Sequence, residues 1–135
     1  MKTTAQVVVI GGGVVGCSVL YHLTKKGWKD VMLLERDQLT SGSTWHAAGG
    51  FHTLNGDPNV AMLQSYTVSL YQELERISGQ SCGMHKSPGI MLADTPERME
   101  FLKMTVARGR YLGMDTDIIP VAEAKKYFPF IEDRY

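Results

Sequence analysis

The chain has 135 residues, of which 44% are apolar and 21% charged. This balance supports one folded domain with a buried core and excludes a disordered chain. Fourteen Lys and Arg residues match fourteen Asp and Glu residues, so the charge pattern indicates no nucleic acid or acidic partner. No apolar run approaches the about 20 residues needed to cross a bilayer, and no targeting segment precedes the first predicted strand. The sequence therefore predicts neither a nucleic-acid-binding protein nor a membrane protein.

The first 35 residues predict a βαβ unit. Residues 5–10 are rich in valine, which is typical of a strand buried on both faces of a parallel sheet. Residues 14–26 have apolar side chains at helical spacing and end in two lysines before Gly27. Residues 30–34 predict a second strand. A strand, a crossover helix and a parallel strand within about 30 residues form a right-handed βαβ unit.

The remainder predicts a long loop followed by helices and short strands. Residues 37–56 are rich in Ser, Thr, Gly and Ala, and a loop of this length is uncommon in a compact domain unless it is functional. Asp57-Pro58 and Thr95-Pro96 each combine a capping side chain with a proline at the first helical position, which predicts two helices. The predicted elements are a helix to Gly79, short strands around a Pro-Gly turn at 84–93, a helix to Leu112, a strand at 117–119 and a short helix at 121–127.

Three glycines follow the first predicted strand in the pattern Gly11-x-Gly13-x-x-Gly16. The first permits the tight turn, the second lets a pyrophosphate approach the backbone, and the third allows the helix to pack closely on the strand. The free amides and macrodipole of the helix amino terminus favour the phosphates. Glu35 ends the second strand and would accept hydrogen bonds from an adenosine ribose, which disfavours NADP. These residues leave the choice between FAD and NAD open.

A second motif resembles a known family. The sequences LLER at 33–36 and SGSTWHAAG at 41–49 resemble the N-terminal FAD-binding segment of the dimethylglycine and sarcosine dehydrogenase family. These proteins belong to the wider group of D-amino-acid-oxidase-like flavoproteins. The resemblance extends to 85–98 and covers nearly the whole chain. It implies an α/β fold, with a Rossmann-like FAD-binding segment at 1–80 and the start of a mixed-sheet substrate domain, incomplete here, at 81–135.

The resemblance also implies roles for individual residues. In the family, the histidine that matches His46 is bonded to the 8α carbon of the flavin, and the neighbouring loop wraps the cofactor. Independently, glycines allow close backbone approach, hydroxyls offer hydrogen bonds and a neutral imidazole is a competent nucleophile. One departure is the pair Gly50-Phe51, where relatives often carry a larger residue first. The predicted cofactor-binding residues are Gly11, Gly13, Val14, Val15, Gly16, Glu35, Arg36, Gly42, Ser43, Thr44, Trp45, His46, Ala47, Ala48, Gly49 and Gly50.

The function implied by the resemblance is FAD-dependent oxidation of the C–N bond of an N-methylated amino acid, with the iminium product hydrolysed or passed to tetrahydrofolate. Catalytic and substrate-binding residues are expected beyond Tyr135, so we expect a piece of a longer parent, inactive by itself and weak in binding FAD. The expected location is the bacterial cytoplasm or the mitochondrial matrix. Two alternatives stay open: a non-catalytic regulatory or nucleotide-binding module, and an NAD-dependent dehydrogenase domain.

Overall fold

The computed structural model describes residues 3–132, which contain two strands and four helices. The chain divides into two compact units between Gly50 and Phe51. The division after residue 80 predicted from the sequence concerns domains of the parent protein and stays a prediction. The elements are β1 (Val7–Ile10), α1 (Val14–Lys25), β2 (Val31–Leu34), α2 (Pro58–Ser78), α3 (Pro96–Tyr111) and α4 (Val121–Ala124).

The first unit contains the predicted βαβ arrangement. β1 and β2 are parallel neighbours, paired from Val7 with Val31 to Ile10 with Leu34, and α1 packs against both strands. Gly27, at φ +90°, ends the helix and turns the chain toward β2. The predicted burial of β1 on both faces is wrong for the described residues, since its exposure alternates and Ile10 is 85% exposed. The physical reason is that one helix covers one face of a two-stranded sheet.

The predicted long loop is confirmed, because residues 35–57 contain no helix or strand. Its middle is folded by local turns, with Thr40 in the left-handed region at φ +67°. A threonine seldom adopts this conformation, so the surrounding contacts hold it there. Within residues 3–132, no helix has the length and apolar character that a membrane span requires.

The second unit contains the two helices predicted from their capping pairs. The Asp57 carboxylate accepts hydrogen bonds from the amides of Asn59 and Val60 at the start of α2. The Thr95 hydroxyl accepts one from the amide of Arg98 at the start of α3. Both helices end before glycines in the left-handed region, as predicted. The described residues that are buried in this unit are Ala61, Leu70, Gly109 and Ala124.

The prediction of strands at 84–93 and 117–119 is wrong. Neither segment pairs with a strand, and β1 and β2 are the strands among the residues that the structure describes. An apolar segment becomes a strand only when its backbone amides and carbonyls are paired with a neighbouring strand. The predicted helix at 121–127 is present but shorter, since α4 covers Val121–Ala124 and turns follow it.

Candidate functional site

Residues 11–13, called here the glycine turn, join β1 to α1 at one end of the small sheet. Gly11 has φ +103°, a conformation that favours glycine, and its amide donates to the carbonyl of Leu34 at 2.8 Å. A Cβ atom on Gly16 would lie only 1.8 Å from the carbonyl oxygen of Gly11. The first and third glycines are therefore required by backbone conformation and by the close approach of helix and turn.

The amino terminus of α1 is suited to an anion. Gly13 is the N-cap residue and contributes no capping side chain, and the first turn contains no acidic residue. Amides in the first turn of a helix have no intrahelical acceptor, and the helix dipole favours negative charge there. Val15 follows in this turn and is 73% exposed. The backbone of this turn fits the pyrophosphate of a dinucleotide.

Glu35 lies beside the turn and is held by three backbone amides. Its Oε2 accepts from Gly12 at 2.6 Å, and its Oε1 accepts from Arg36 at 2.7 Å and from Asp37 at 3.0 Å. The Gly12 bond is the main cause that lowers the pKa of this carboxyl, with further lowering by the Asp37 and Arg36 amides and the charge of Arg36. A carboxylate has about four acceptor positions, so it retains one for a ribose hydroxyl.

Gly12 is a site residue that the sequence did not single out. Besides its bond to Glu35, its carbonyl accepts from the amide of Thr40 at 3.0 Å and from the Sγ of Cys17 at 3.5 Å. A Cβ on Gly12 would lie 2.5 Å from Leu39 Cδ2 and 3.1 Å from Glu35 Cβ. The motif does not specify the residue at position 12. The feature of the sequence that could have identified Gly12 was the uninterrupted run of three glycines.

Residues 40–50, called here the histidine loop, pass close to the same turn. The loop is folded by hydrogen bonds from the Trp45 amide to the carbonyls of Thr40 and Gly42 at 3.1 Å, and from the His46 amide to the Ser43 carbonyl at 3.2 Å. Thr44 Oγ1 accepts from the amide of Val14, the first residue of α1, at 2.9 Å. The loop is thereby joined to the helix terminus that fits a pyrophosphate.

His46 is exposed on the histidine loop. Its Nδ1 lies 3.0 Å from the carbonyl oxygen of Gly42. A carbonyl only accepts hydrogen bonds, so Nδ1 carries the proton, and in the neutral ring Nε2 keeps a lone pair. The ring nitrogen available as a nucleophile is therefore Nε2.

The predicted site residues fall into two groups. One group gathers at the glycine turn, and the other lies on the exposed part of the connecting chain. The first group consists of Gly11, Gly13, Val14, Val15, Gly16, Glu35 and Thr44; the second consists of Arg36, Gly42, Ser43, Trp45, His46, Ala47, Ala48, Gly49 and Gly50.

Comparisons with known proteins identify the family of the chain. The family model for FAD-dependent oxidoreductases matches residues 6–135. The chain is 40% identical over 130 residues to a mitochondrial dimethylglycine dehydrogenase of Rattus norvegicus, covering 96% of this chain and 15% of that protein. It is 37% identical to a mitochondrial sarcosine dehydrogenase of Homo sapiens, with 100% and 15% covered. It is also 36% identical to a mitochondrial pyruvate dehydrogenase phosphatase regulatory subunit of Mus musculus, with 97% and 15% covered.

The fold is similar to that of an L-proline dehydrogenase from P. horikoshii. The TM-score is 0.83 at 26% identity, over 96% of this chain and 34% of that structure. The predicted α/β fold with a Rossmann-like start is confirmed, as is the resemblance to dimethylglycine and sarcosine dehydrogenases. The chain spans about 15% of the length of the curated relatives described above.

Proposed function

The chain belongs to the FAD-dependent oxidoreductase family, and we propose that it holds the FAD of an enzyme that oxidises the C–N bond of an N-methylated amino acid. The observation that carries the proposal is the attachment of the histidine loop to the glycine turn through Thr44 and Val14. The names of two relatives, dimethylglycine dehydrogenase and sarcosine dehydrogenase, support the substrate class. The family match favours FAD over NAD as the dinucleotide.

Different residues are proposed to bind the adenosine, pyrophosphate and flavin portions of the cofactor. The amide of Val15 binds the pyrophosphate at the positive end of α1, and Val14 contacts it while its own amide donates to Thr44. Glu35 accepts from a ribose hydroxyl with its remaining lone pair, and Arg36 lies at the adenosine end. When bound, FAD supplies the acceptor for the hydride that leaves the substrate carbon, while the protein orients and tunes the cofactor. Gly42 to Gly50 wrap the flavin portion.

His46 is the proposed covalent anchor. Its neutral ring supplies the Nε2 lone pair, because Nδ1 donates to Gly42. FAD would supply the electrophilic 8α carbon and would accept the electron pair, and His46 would supply the Nε2 lone pair and give up its Nδ1 proton. The histidine loop keeps the imidazole exposed and is attached to the glycine turn through Thr44.

A visible spectrum tests both FAD binding and its attachment. The full-length parent is expressed, precipitated with acid and compared with His46→Ala and with a control, His85→Ala, whose side chain is also exposed. We expect flavin absorbance in the pellets of wild type and control, and only in the supernatant of His46→Ala. A coloured His46→Ala pellet would contradict the covalent assignment. A wild-type protein without flavin would contradict the proposed FAD site.

A second candidate function is a non-catalytic flavoprotein-like regulatory module. The similarity to a phosphatase regulatory subunit at 36% identity favours it, since that relative matches as much of this chain as the dehydrogenases do. Anaerobic addition of dimethylglycine or sarcosine separates the two candidates. Bleaching of the flavin supports the dehydrogenase, whereas a bound flavin that never bleaches supports the regulatory module.

Two further properties of the parent belong to the same proposal. The names of three relatives describe mitochondrial proteins, which supports the mitochondrial matrix for a eukaryotic parent; a bacterial parent would be cytoplasmic. We also propose that the iminium product is hydrolysed or transferred to tetrahydrofolate by the parent. Formation of free formaldehyde that falls when tetrahydrofolate is added would support the transfer, and formaldehyde release that tetrahydrofolate leaves unchanged would support hydrolysis.

A further inference from the structure

We propose that Thr44 is a positioning residue that fixes the histidine loop to the amino terminus of α1 before FAD binds. The inference rests on the proposed function, because it assigns a purpose to the loop in loading the cofactor. It concerns the bond between Thr44 and Val14, which lies within residues 1–50, and the consequence of that bond for His46.

The Thr44 hydroxyl caps a helix that lacks its own cap. Gly13, the N-cap residue of α1, has no side chain, and Thr44 Oγ1 accepts the amide hydrogen of Val14 at 2.9 Å from 30 residues away. Thr44 is half-buried, whereas the residues on either side of it are exposed. A Cβ on Gly13 would lie 3.0 Å from this oxygen, so the glycine leaves the space that the hydroxyl occupies.

A second bond fixes the start of the histidine loop to the same turn. The amide of Thr40 donates to the carbonyl of Gly12 at 3.0 Å, and Thr40 adopts φ +67° to do so. The loop is therefore attached at two points, on either side of the turn that contains Gly42. This arrangement limits the movement of residues 40–44 relative to the helix terminus.

The two attachments determine where His46 lies. Only Trp45 separates it from Thr44, so its Cα is within about 7 Å of the Thr44 Cα. The His46 amide donates to Ser43 and its ring to Gly42, both within the attached segment. Loss of the Thr44 bond would free the segment that orients the imidazole.

The chemistry of a hydroxyl allows a second contact with the ligand. A hydroxyl accepts through its lone pairs and donates one hydrogen. Because Thr44 Oγ1 accepts from Val14, its own hydrogen stays available to a phosphate oxygen at the helix terminus. Thr44 thus fits a diphosphate ligand without giving up its bond to α1. Valine has the same shape but neither function.

The test compares Thr44→Val, Thr44→Ser and a control, Thr24→Val, in the full-length protein prepared without riboflavin. Thr24 is another threonine of this unit, is exposed, and donates its hydroxyl hydrogen to the Tyr21 carbonyl near the end of α1. Three quantities are measured: amide hydrogen exchange at Val14 without flavin, the FAD dissociation constant, and the rate at which flavin becomes acid-stable.

Thr44→Val is expected to speed exchange at Val14, weaken FAD binding and slow attachment, each by about 2- to 10-fold, the net effect of losing one exposed hydrogen bond. Thr44→Ser restores all three values because it keeps the hydroxyl, and Thr24→Val leaves them unchanged. Exchange at Val14 that Thr44→Val leaves unaltered overturns the inference. Faster exchange with wild-type loading and attachment overturns the positioning role. Failure of the wild type to bind added FAD overturns the proposed function instead.

Discussion

Substitution of Gly16 by alanine tests whether close packing of α1 on the glycine turn sets the affinity for FAD. The added Cβ would lie 1.8 Å from the carbonyl oxygen of Gly11 and 3.0 Å from its carbonyl carbon. Both atoms are backbone, so no side-chain rotation relieves the contact. The turn and the helix must separate by about 1.2 Å to reach the 3.0 Å limit of real Cβ contacts.

The expected loss of affinity follows from two opposing effects. Overpacking that forces a backbone shift costs about 3 kcal/mol, at the upper end of the usual range. Alanine is the better helix former and recovers about 1 kcal/mol. If FAD requires the native turn, the net cost of about 2 kcal/mol weakens binding by about 30-fold.

The measurement is a titration of the full-length apoprotein with FAD, followed by quenching of flavin fluorescence. Gly89→Ala is the control, since a Cβ there meets no atom within 4 Å and the residue is not at positive φ. We expect the control to bind FAD as the wild type does. If Gly16→Ala also binds FAD with wild-type affinity, the turn does not need to keep its geometry and the reasoning is refuted.

Three other predictions concern separate features. The Glu35 carboxyl has its pKa lowered from 4.5, first by the Gly12 amide. The contribution of the Glu35 carboxylate to stability is therefore complete above pH 4.5 and is lost as the pH falls through the lowered pKa. FAD release measured against pH should show a component in this acid range that Glu35→Gln lacks. A release profile that Glu35→Gln leaves unchanged would contradict this prediction. Asp57→Ala should destabilise the first turn of α2 by about 1 kcal/mol, and Asp57→Asn much less; hydrogen exchange at Val60 measures this, and equal exchange in both variants argues against the cap. The flavin-bearing peptide from the parent should carry its covalent bond at Nε2 of His46, because Nδ1 donates to the Gly42 carbonyl. Nuclear magnetic resonance of that peptide identifies the bonded nitrogen. A bond at Nδ1 would show that the hydrogen bond to Gly42 breaks before attachment.

The sequence predicted those elements whose signals are local. Asp57 and Thr95 cap amides two or three residues away, so the starts of α2 and α3 follow from adjacent letters. The strand–glycine turn–helix succession is equally local and predicted the βαβ unit. The strands predicted at 84–93 failed because pairing depends on a partner elsewhere, and an apolar run with a Pro-Gly turn contains no information about that partner.

The distinction between local signals and distant contacts also applies to the candidate site. The spacing of Gly11, Gly13 and Gly16 identifies the turn, but the contacts that organise it are distant in sequence. Glu35 reaches Gly12 across 23 residues, and Thr44 reaches Val14 across 30. No spacing rule predicts these pairs, because each depends on how the loop returns to the turn. Gly12 was consequently missed, and Thr44 was predicted as a ligand for the cofactor but not as a cap.

The histidine loop bears on the choice of dinucleotide through chemistry as well as through similarity. Amides at a helix terminus and a ribose-binding carboxylate serve NAD and FAD equally, since both contain a pyrophosphate and an adenosine ribose. A nucleophilic Nε2 on a loop fastened to that terminus adds nothing to the binding of a nicotinamide. In the proposed function it would react with a ligand that has an electrophilic carbon, such as the 8α carbon of a flavin. The bond between Thr44 and Val14 therefore connects the shared half of the site to the half that, in the proposed function, distinguishes FAD.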